Sequence, residues 1–296
     1  MHASDPDAHT IAVADLAFGY GKQPLFTQFS ANVQQPGIYG LFGRNGSGKS
    51  TLLKILCGLL TPDGGRVAVR GYVPRQRAAE FLEQVYILPE EFHLPNLTPA
   101  ALRHTHAAFY PRFDTALFDT YLQELDVPTT QAFGAMSLGQ KKKAAIAFAL
   151  ATQTPVLLMD EPTNGLDIVS RTQFRKLMAR PEQAQRTVLI STHQAHDLES
   201  ILQHIWFIDA GRLVLSSPMA ALAQYLRMGV AENTMAVPED VLYQEAIGQQ
   251  TAWVAPRGGE QTPSPVQLEL LYKALSTNKD AVLAALPAAA TAKATP

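Results

Sequence analysis

The residues Gly43, Arg44, Asn45, Gly46, Ser47, Gly48, Lys49, Ser50 and Thr51 bring together, in one run, the groups that hold a polyphosphate. They fit G-x-x-x-x-G-K-[ST], and they lie between a short apolar run, GIYGLF, and an apolar helical run, STLLKILCGLL. Glycines at 43, 46 and 48 let the backbone wrap tightly, so that the N–H groups of the loop and the positive end of the next helix meet negative charge. Arg44, Asn45 and Ser47 belong to the same cradle. Lys49 then neutralises the β and γ phosphates, Ser50 sets its hydroxyl on Mg²⁺, and Thr51 bonds the α-phosphate.

A second constellation is VLLMDEP, residues 156–162, an apolar run that ends in two carboxylates. A strand end beside a phosphate loop suits magnesium chemistry. Asp160 reads as the Mg²⁺ partner through water, and Glu161 as the general base that polarises the water attacking the γ-phosphate. Alone, an Asp-Glu pair after an apolar run is commonplace. Together with residues 43–51 it describes a nucleoside triphosphatase.

The elements that must position these groups follow from periodicity. Residues 11–42 read as strands, and short strands return over about 66–88, with VYIL a buried one. Between about 98 and 152 the pattern turns helical. After 155 strand and helix alternate again through VLLMD, DIVSRTQFRKLMA, TVLIST and a helix expected around Gln194 to Leu202, which implies a mostly parallel sheet covered on both faces. IWFIDAGRLVLSS predicts a hairpin turning at Ala210 and Gly211. The signals weaken beyond about 218, and the Ala-rich end reads as frayed.

Composition bounds the reading further. The 296 residues are 47% hydrophobic and carry a formal net charge of −2, which supports a sizeable core and gives no reason to expect nucleic acid as a partner. The single cysteine, Cys57, sits in an apolar run and reads as a buried structural thiol, since neither a disulfide nor a cysteine-rich metal site can be built. No apolar stretch approaches the ~18 to 20 residues of a membrane-spanning helix. The start carries acidic residues and no basic-then-apolar segment, so a cytoplasmic location is expected, with docking on a membrane left open.

A phosphate loop is shared by kinases, GTPases and helicases, so it fixes nucleotide chemistry and not role. MSLGQKKK, residues 136–143, resembles the LSGGQ signature of ATP-binding cassette (ABC) ATPases, with Leu138 in place of the first glycine and Ser137, Gly139 and Gln140 retained. Ser137 also reads as a helix N-cap. Further features fall in the family's order. NGLD, residues 164–167, resembles the loop that contacts a partner cassette through Asp167. His193 in LISTHQ stands at the place of the switch histidine that contacts the γ-phosphate. Tyr20 in FGYGK matches the aromatic residue that stacks on adenine, and Glu90 stands where the family has a metal-contacting glutamine.

The resemblance covers residues 11 to about 227 and is nearest to single-cassette ATPases of bacterial multidrug and antibiotic-peptide exporters. It implies an α/β fold of the P-loop ABC ATPase type: a mostly parallel core, an antiparallel β subdomain and a helical insertion at about 91–152. It also implies ATP and Mg²⁺ as cofactors. The partners it implies are a second cassette, identical or related, and a separate membrane permease that holds the chain at the cytoplasmic face. A permease-free cassette that remodels a protein or nucleic-acid complex is the alternative. The organisation expected is a tail over 1–10, the nucleotide-binding domain over 11–227, an extension over 228–279 and a disordered end over 280–296.

Overall fold

The computed structural model describes residues 10–193, 195–232, 237–258 and 265–287. Positions 1–9 of the expected N-terminal tail and 288–296 of the expected disordered end lie outside the described residues.

The centre is a six-stranded sheet in the order β5 (Val85–Leu88), β6 (Val156–Asp160), β7 (Thr187–Ser191), β3 (Gly37–Phe42), β8 (His204–Asp209), β9 (Arg212–Pro218). All neighbours pair in parallel except β8 with β9. Every residue of β3, β6 and β7 is buried, which is why these segments read as unbroken apolar runs. Their carboxyl ends leave the sheet on one edge: β3 runs into the phosphate loop, β6 ends at Asp160, and β7 leads through Thr192 to His193.

The antiparallel sheet β2 (Gln23–Val33), β1 (Ile11–Tyr20), β4 (Gly64–Val69) packs with α1 (Lys49–Leu56) around Phe26, Phe29, Leu52 and Leu53. Cys57 is buried in this core, as expected. A single turn of 3₁₀ helix at Pro74–Gln76 and the short α2 (Ala79–Leu82) lead to β5.

The helical insertion contains α3 (Pro99–His106), α4 (Thr115–Glu124) and α5 (Leu138–Ala151). Each starts where a side chain closes an open backbone donor: Thr98 accepts from Ala101 N, Asp114 from Leu117 N, and Ser137 forms a reciprocal capping box with Gln140. From Ala144 to Ala151 α5 is buried all round, joined to α4 through Phe118, Tyr121 and Leu122. The helix α6 (Ile168–Met178), capped by Asp167, and the short α7 (Pro181–Ala184) connect β6 to β7.

Two differences from the sequence reading are local. The segment after His193 is a 3₁₀ turn at Ala195–Asp197 followed by further turns, where a helix to Leu202 was expected. Its acidic side chains are committed elsewhere: Asp197 pairs with Arg171 at 2.7 Å, and Glu199 accepts from the Leu268 N–H at 2.7 Å. The hairpin at Ala210 and Gly211 forms as expected, both residues having positive φ (45° and 70°).

The second difference lies beyond residue 218. After α8 (Met219–Tyr225) the expected boundary at 227 falls inside β10 (Leu226–Ala231), which pairs with β12 (Gln250–Pro256), itself paired with β11 (Tyr243–Ile247). α9 (Leu268–Thr277) buries Leu268, Leu271, Ala274 and Leu275 in the same core that takes Phe207 of β8, and Tyr272 meets the Phe207 ring at 5.3 Å. α10 (Lys279–Ala284) begins at the last residue of the expected extension and runs into the expected disordered end. Val282 and Leu286, spaced as one helical face, are 0% and 6% exposed and hold it down.

Candidate functional site

The phosphate loop leaves β3 and turns into α1 at Gly48, whose φ of 107° is left-handed; a Cβ there would also lie 2.5 Å from the Phe26 ring. Gly43 faces a similar limit, since its Cβ would sit 2.2 Å from the Ile208 carbonyl oxygen. α1 has neither a side-chain cap nor an acidic residue in its first turn, so its leading N–H groups remain directed at the loop. Lys49 is 7% exposed and donates from Nζ to the carbonyls of Gly43 (2.8 Å) and Arg44 (3.2 Å). Burial pulls its pKa below the ordinary lysine value, opposed by the negative charge of Glu161, Asp160 and Glu90. Ser47 Oγ is buried with no hydrogen-bond partner.

At the end of β6, Asp160 is 4% exposed and accepts a hydrogen bond from Ser191 Oγ on β7. Glu161, 7% exposed, has a left-handed backbone with φ of 46°, a conformation that costs a non-glycine residue about 1–2 kcal/mol. Its N–H is fixed by the Ser191 carbonyl (3.0 Å) and Ser191 Oγ (3.2 Å). The carboxylate meets His193 twice, at Nδ1 (2.9 Å) and at the backbone N–H (3.4 Å). Strand pairing of β6 with β7 thus brings Glu161 and His193 together from segments that are distant in sequence.

Lys49, Glu161 and His193 line one cleft of ≈ 670 Å³, whereas Asp160 and Ser191 are buried beside it and are not in its wall. Its walls include Tyr20, Asn45, Lys49, Ser50, Thr51, Glu90, Glu161 and His193. Tyr20 is 55% exposed, and its hydroxyl lies 3.1 Å from Thr51 Oγ1, so the ring stands at the mouth with an open face. Glu90 is exposed, and its Oε1 accepts from Asn164 Nδ2 at 2.8 Å. Arg44 and Gly43 face a neighbouring cleft that also has Thr192 and His193 in its wall, with Glu269 and Tyr272 of α9 opposite.

The residues present suit a magnesium nucleotide. The cradle leaves no room for side chains at 43 and 48, one buried hydroxyl is unpaired, and the donors are hard oxygens. Among the described residues no three His, Cys, Asp or Glu side chains converge as a metal cage. Such a site suits Mg²⁺, which takes much of its coordination from water and from the phosphates it accompanies.

Ser137, Gly139, Gln140 and Asp167 are not in the cleft. Ser137 and Gln140 are engaged with each other in the α5 cap, and Asp167 caps α6, the Ser170 N–H holding its carboxyl below the usual value. A Cβ on Gly139 would lie 4.0 Å from the Gly165 carbonyl, so the two segments adjoin. They share one face with Leu138, Ile168 and Val169, which are 72%, 84% and 67% exposed.

Sequence reasoning passed over three participants. Ser191 ties Asp160 to Glu161, and Asn164 holds Glu90. Lys142, one of three consecutive lysines, is buried against its own subunit. The serine that ends an apolar strand and the asparagine that opens NGLD were visible, but only tertiary pairing gives them partners.

The ABC transporter family's sequence profile matches residues 26–164. The chain is 30% identical over 235 residues to the bacitracin transport ATP-binding protein BcrA of Bacillus licheniformis, covering 77% of each. It is 27% identical over 214 residues to the lantibiotic transport ATP-binding protein SrtF of Streptococcus pyogenes, covering 69% of this chain and 89% of that one. A solved ATP-binding subunit of an ABC transporter superposes with a TM-score of 0.65 at 25% identity, over 73% of this chain and 92% of the other. A cassette solved as a dimer in a post-hydrolysis state with ADP and phosphate shares the fold, with a TM-score of 0.61 at 20% identity, over 70% of this chain and 98% of the other. With its phosphate loop, its strand-end carboxylates and its helical insertion in the family's arrangement, the chain belongs to the ATP-binding proteins of ABC transporters.

Proposed function

We propose that this chain binds Mg-ATP, pairs through it with a second cassette, and hydrolyses it to power transport, in the outward direction, through a separate permease. The observation that carries this reading is the division of the site. One cleft gathers Tyr20, the phosphate loop, Glu90, Glu161 and His193, while Ser137, Gly139, Gln140 and Asp167 lie outside it on a face with three exposed apolar side chains. A head-to-tail pair completes each cleft with the other chain's residues 137–140, so nucleotide becomes part of the interface.

In the closed site Tyr20 stacks on adenine, and the loop N–H groups with Lys49 hold the phosphates. Ser50, Asp160 and Glu90 would hold Mg²⁺, which would supply charge neutralisation at the transferred phosphoryl group. Glu161 takes the proton of the attacking water, and His193 keeps the carboxylate aimed and reaches the γ-phosphate. Closure excludes bulk water and hydrolysis releases the pair. A groove of ≈ 600 Å³ between β5 and α3, with Tyr86, Leu94 and exposed Phe109 in its wall, supports permease contact at the cytoplasmic membrane face. The transport of bacitracin and lantibiotic named for the relatives supports an exporter of that kind.

The test is pairing. Glu161→Gln with Mg-ATP is expected to double in mass by light scattering, and adding Gly139→Glu to block it by placing a charge against the partner's phosphates. A monomer in every condition refutes self-pairing.

A further inference from the structure

Lys142 is the second of three consecutive lysines, yet it is only 4% exposed. It lies on α5 just before that helix becomes buried all round. Its ammonium donates to the Glu161 carbonyl at 3.0 Å and to the Glu90 carbonyl at 3.3 Å, and it lies 5.7 Å from the centroid of the Phe92 ring. Both hydrogen bonds go to main-chain atoms, on two loops that belong to the catalytic cleft. A lysine has three donors and is costly to bury, so its retention here calls for a structural or functional return.

That return is visible at Glu161. The backbone there is left-handed, and conformations of this kind persist only where surrounding contacts over-determine them. Ser191 fixes the N–H side of the residue from within the sheet. Lys142 fixes the carbonyl side, from a helix that belongs to a different part of the fold. The second bond, to Glu90, ties the neighbouring loop to the same ammonium.

We propose that Lys142 is a positioning residue for hydrolysis: its buried ammonium clamps the Glu161 carbonyl and links the catalytic loop and the residue-90 loop to α5. The inference rests on the reading of the chain as an ATPase with Glu161 as its base. Because the N-terminus of α5 carries Ser137 and Gly139, the same strut makes the geometry of a chain's own base depend on the helix it presents to its partner's nucleotide. Lys142 itself does not line the cleft.

The experiment compares wild type with Lys142→Met, which keeps the length of the stem and removes charge and donors, and Lys142→Arg, which keeps both. The expected result for Lys142→Met is a fall in kcat by about 10²-fold, the scale of a misplacement near 1 Å, with KM for ATP within about threefold. Lys142→Arg is expected to recover most of the rate. Binding of ATP to Glu161→Gln and to the Glu161→Gln, Lys142→Met double variant is expected to be equal within about threefold, because the clamp acts on the base and not on the phosphate cradle. Lys142→Gln, with a neutral donor, replaces Lys142→Met if the latter does not fold. Folded Lys142→Met with wild-type kcat overturns the proposal, as does equal loss of kcat in the Met and Arg variants. A wild-type chain without ATPase activity would instead remove the functional reading beneath it.

Discussion

Replacing Glu161 with glutamine separates binding from chemistry, and the structure sets the size of both effects. The side chain is 7% exposed, and its two oxygens face His193 Nδ1 at 2.9 Å and the His193 N–H at 3.4 Å. An amide of the same shape stays in place, with its one oxygen available to either donor. It has no basicity with which to accept the proton of water, so the general-base contribution of about 10²- to 10⁴-fold is lost. That corresponds to ~3 to 5 kcal/mol in the barrier. Binding moves the other way: Glu161 is the largest electrostatic partner of Lys49, and removing its charge leaves the cradle more positive. ATP affinity is therefore expected to be unchanged or tighter. Phosphate release under saturating Mg-ATP, beside titration with a fluorescent ATP analogue, measures both. Turnover within threefold of wild type, with affinity intact, refutes Glu161 as the base.

Tyr20→Ala is expected to weaken ATP binding by about 1–3 kcal/mol, the range for base–aromatic stacking, whereas Tyr20→Phe stays close to wild type; equal losses in a binding titration would assign the effect to the bond with Thr51. Glu90→Gln keeps an oxygen for Asn164 and for metal, so substantial ATPase activity with an altered Mg²⁺ dependence is expected, and Glu90→Ala lowers turnover; superimposable rate curves against Mg²⁺ remove Glu90 from the metal. Truncation after residue 280 looks harmless from composition, but it strips the buried Val282 and Leu286, worth ~1.5–3 kcal/mol each, so a clearly lower Tm is expected and an unchanged one would contradict their burial. Burial pushes the Cys57 thiol up to about 11 from 9.0, so the unfolded chain loses this proton first as pH rises. The stability difference between wild type and Cys57→Ala, from urea unfolding, is expected to be constant below about pH 9 and to shift against wild type from there to about pH 11; pH-independent values would refute it.

The parts of the fold that were legible in the sequence are those whose local pattern is strong enough to stand without tertiary help. β3, β6 and β7 are buried on both faces and therefore read as plain apolar runs, and the glycines and lysine of residues 43–49 carry their own geometry. Ser137 was legible as a cap because its partner, Gln140, is three residues away. The segment after His193 was misread, and its acidic side chains are paired with Arg171 and with the start of α9, partners that local periodicity does not show. β10 to β12 went unseen for a related reason: β10 and β11 are each short, and both find their hydrogen bonds on β12. Lys142 is the sharpest case. Three identical residues in a row differ only in which way the helix turns them, and one of them faces two carbonyls of the cleft.

The place of β3 in the sheet has a consequence for how the protein is made. β3 is flanked by β7 and β8, both synthesised after residue 186, although the phosphate loop that follows β3 is complete by residue 51. At about 10 residues per second, a ribosome extends the chain for roughly 15 s between these events. During that time the first strand of the nucleotide site has neither of its hydrogen-bonding neighbours, and its apolar residues must be kept from other surfaces. ATP cannot assist this stage, because a ligand stabilises only the states that already bind it. The nascent chain thus acquires nucleotide affinity late and abruptly, when β7 and β8 close on either side of β3.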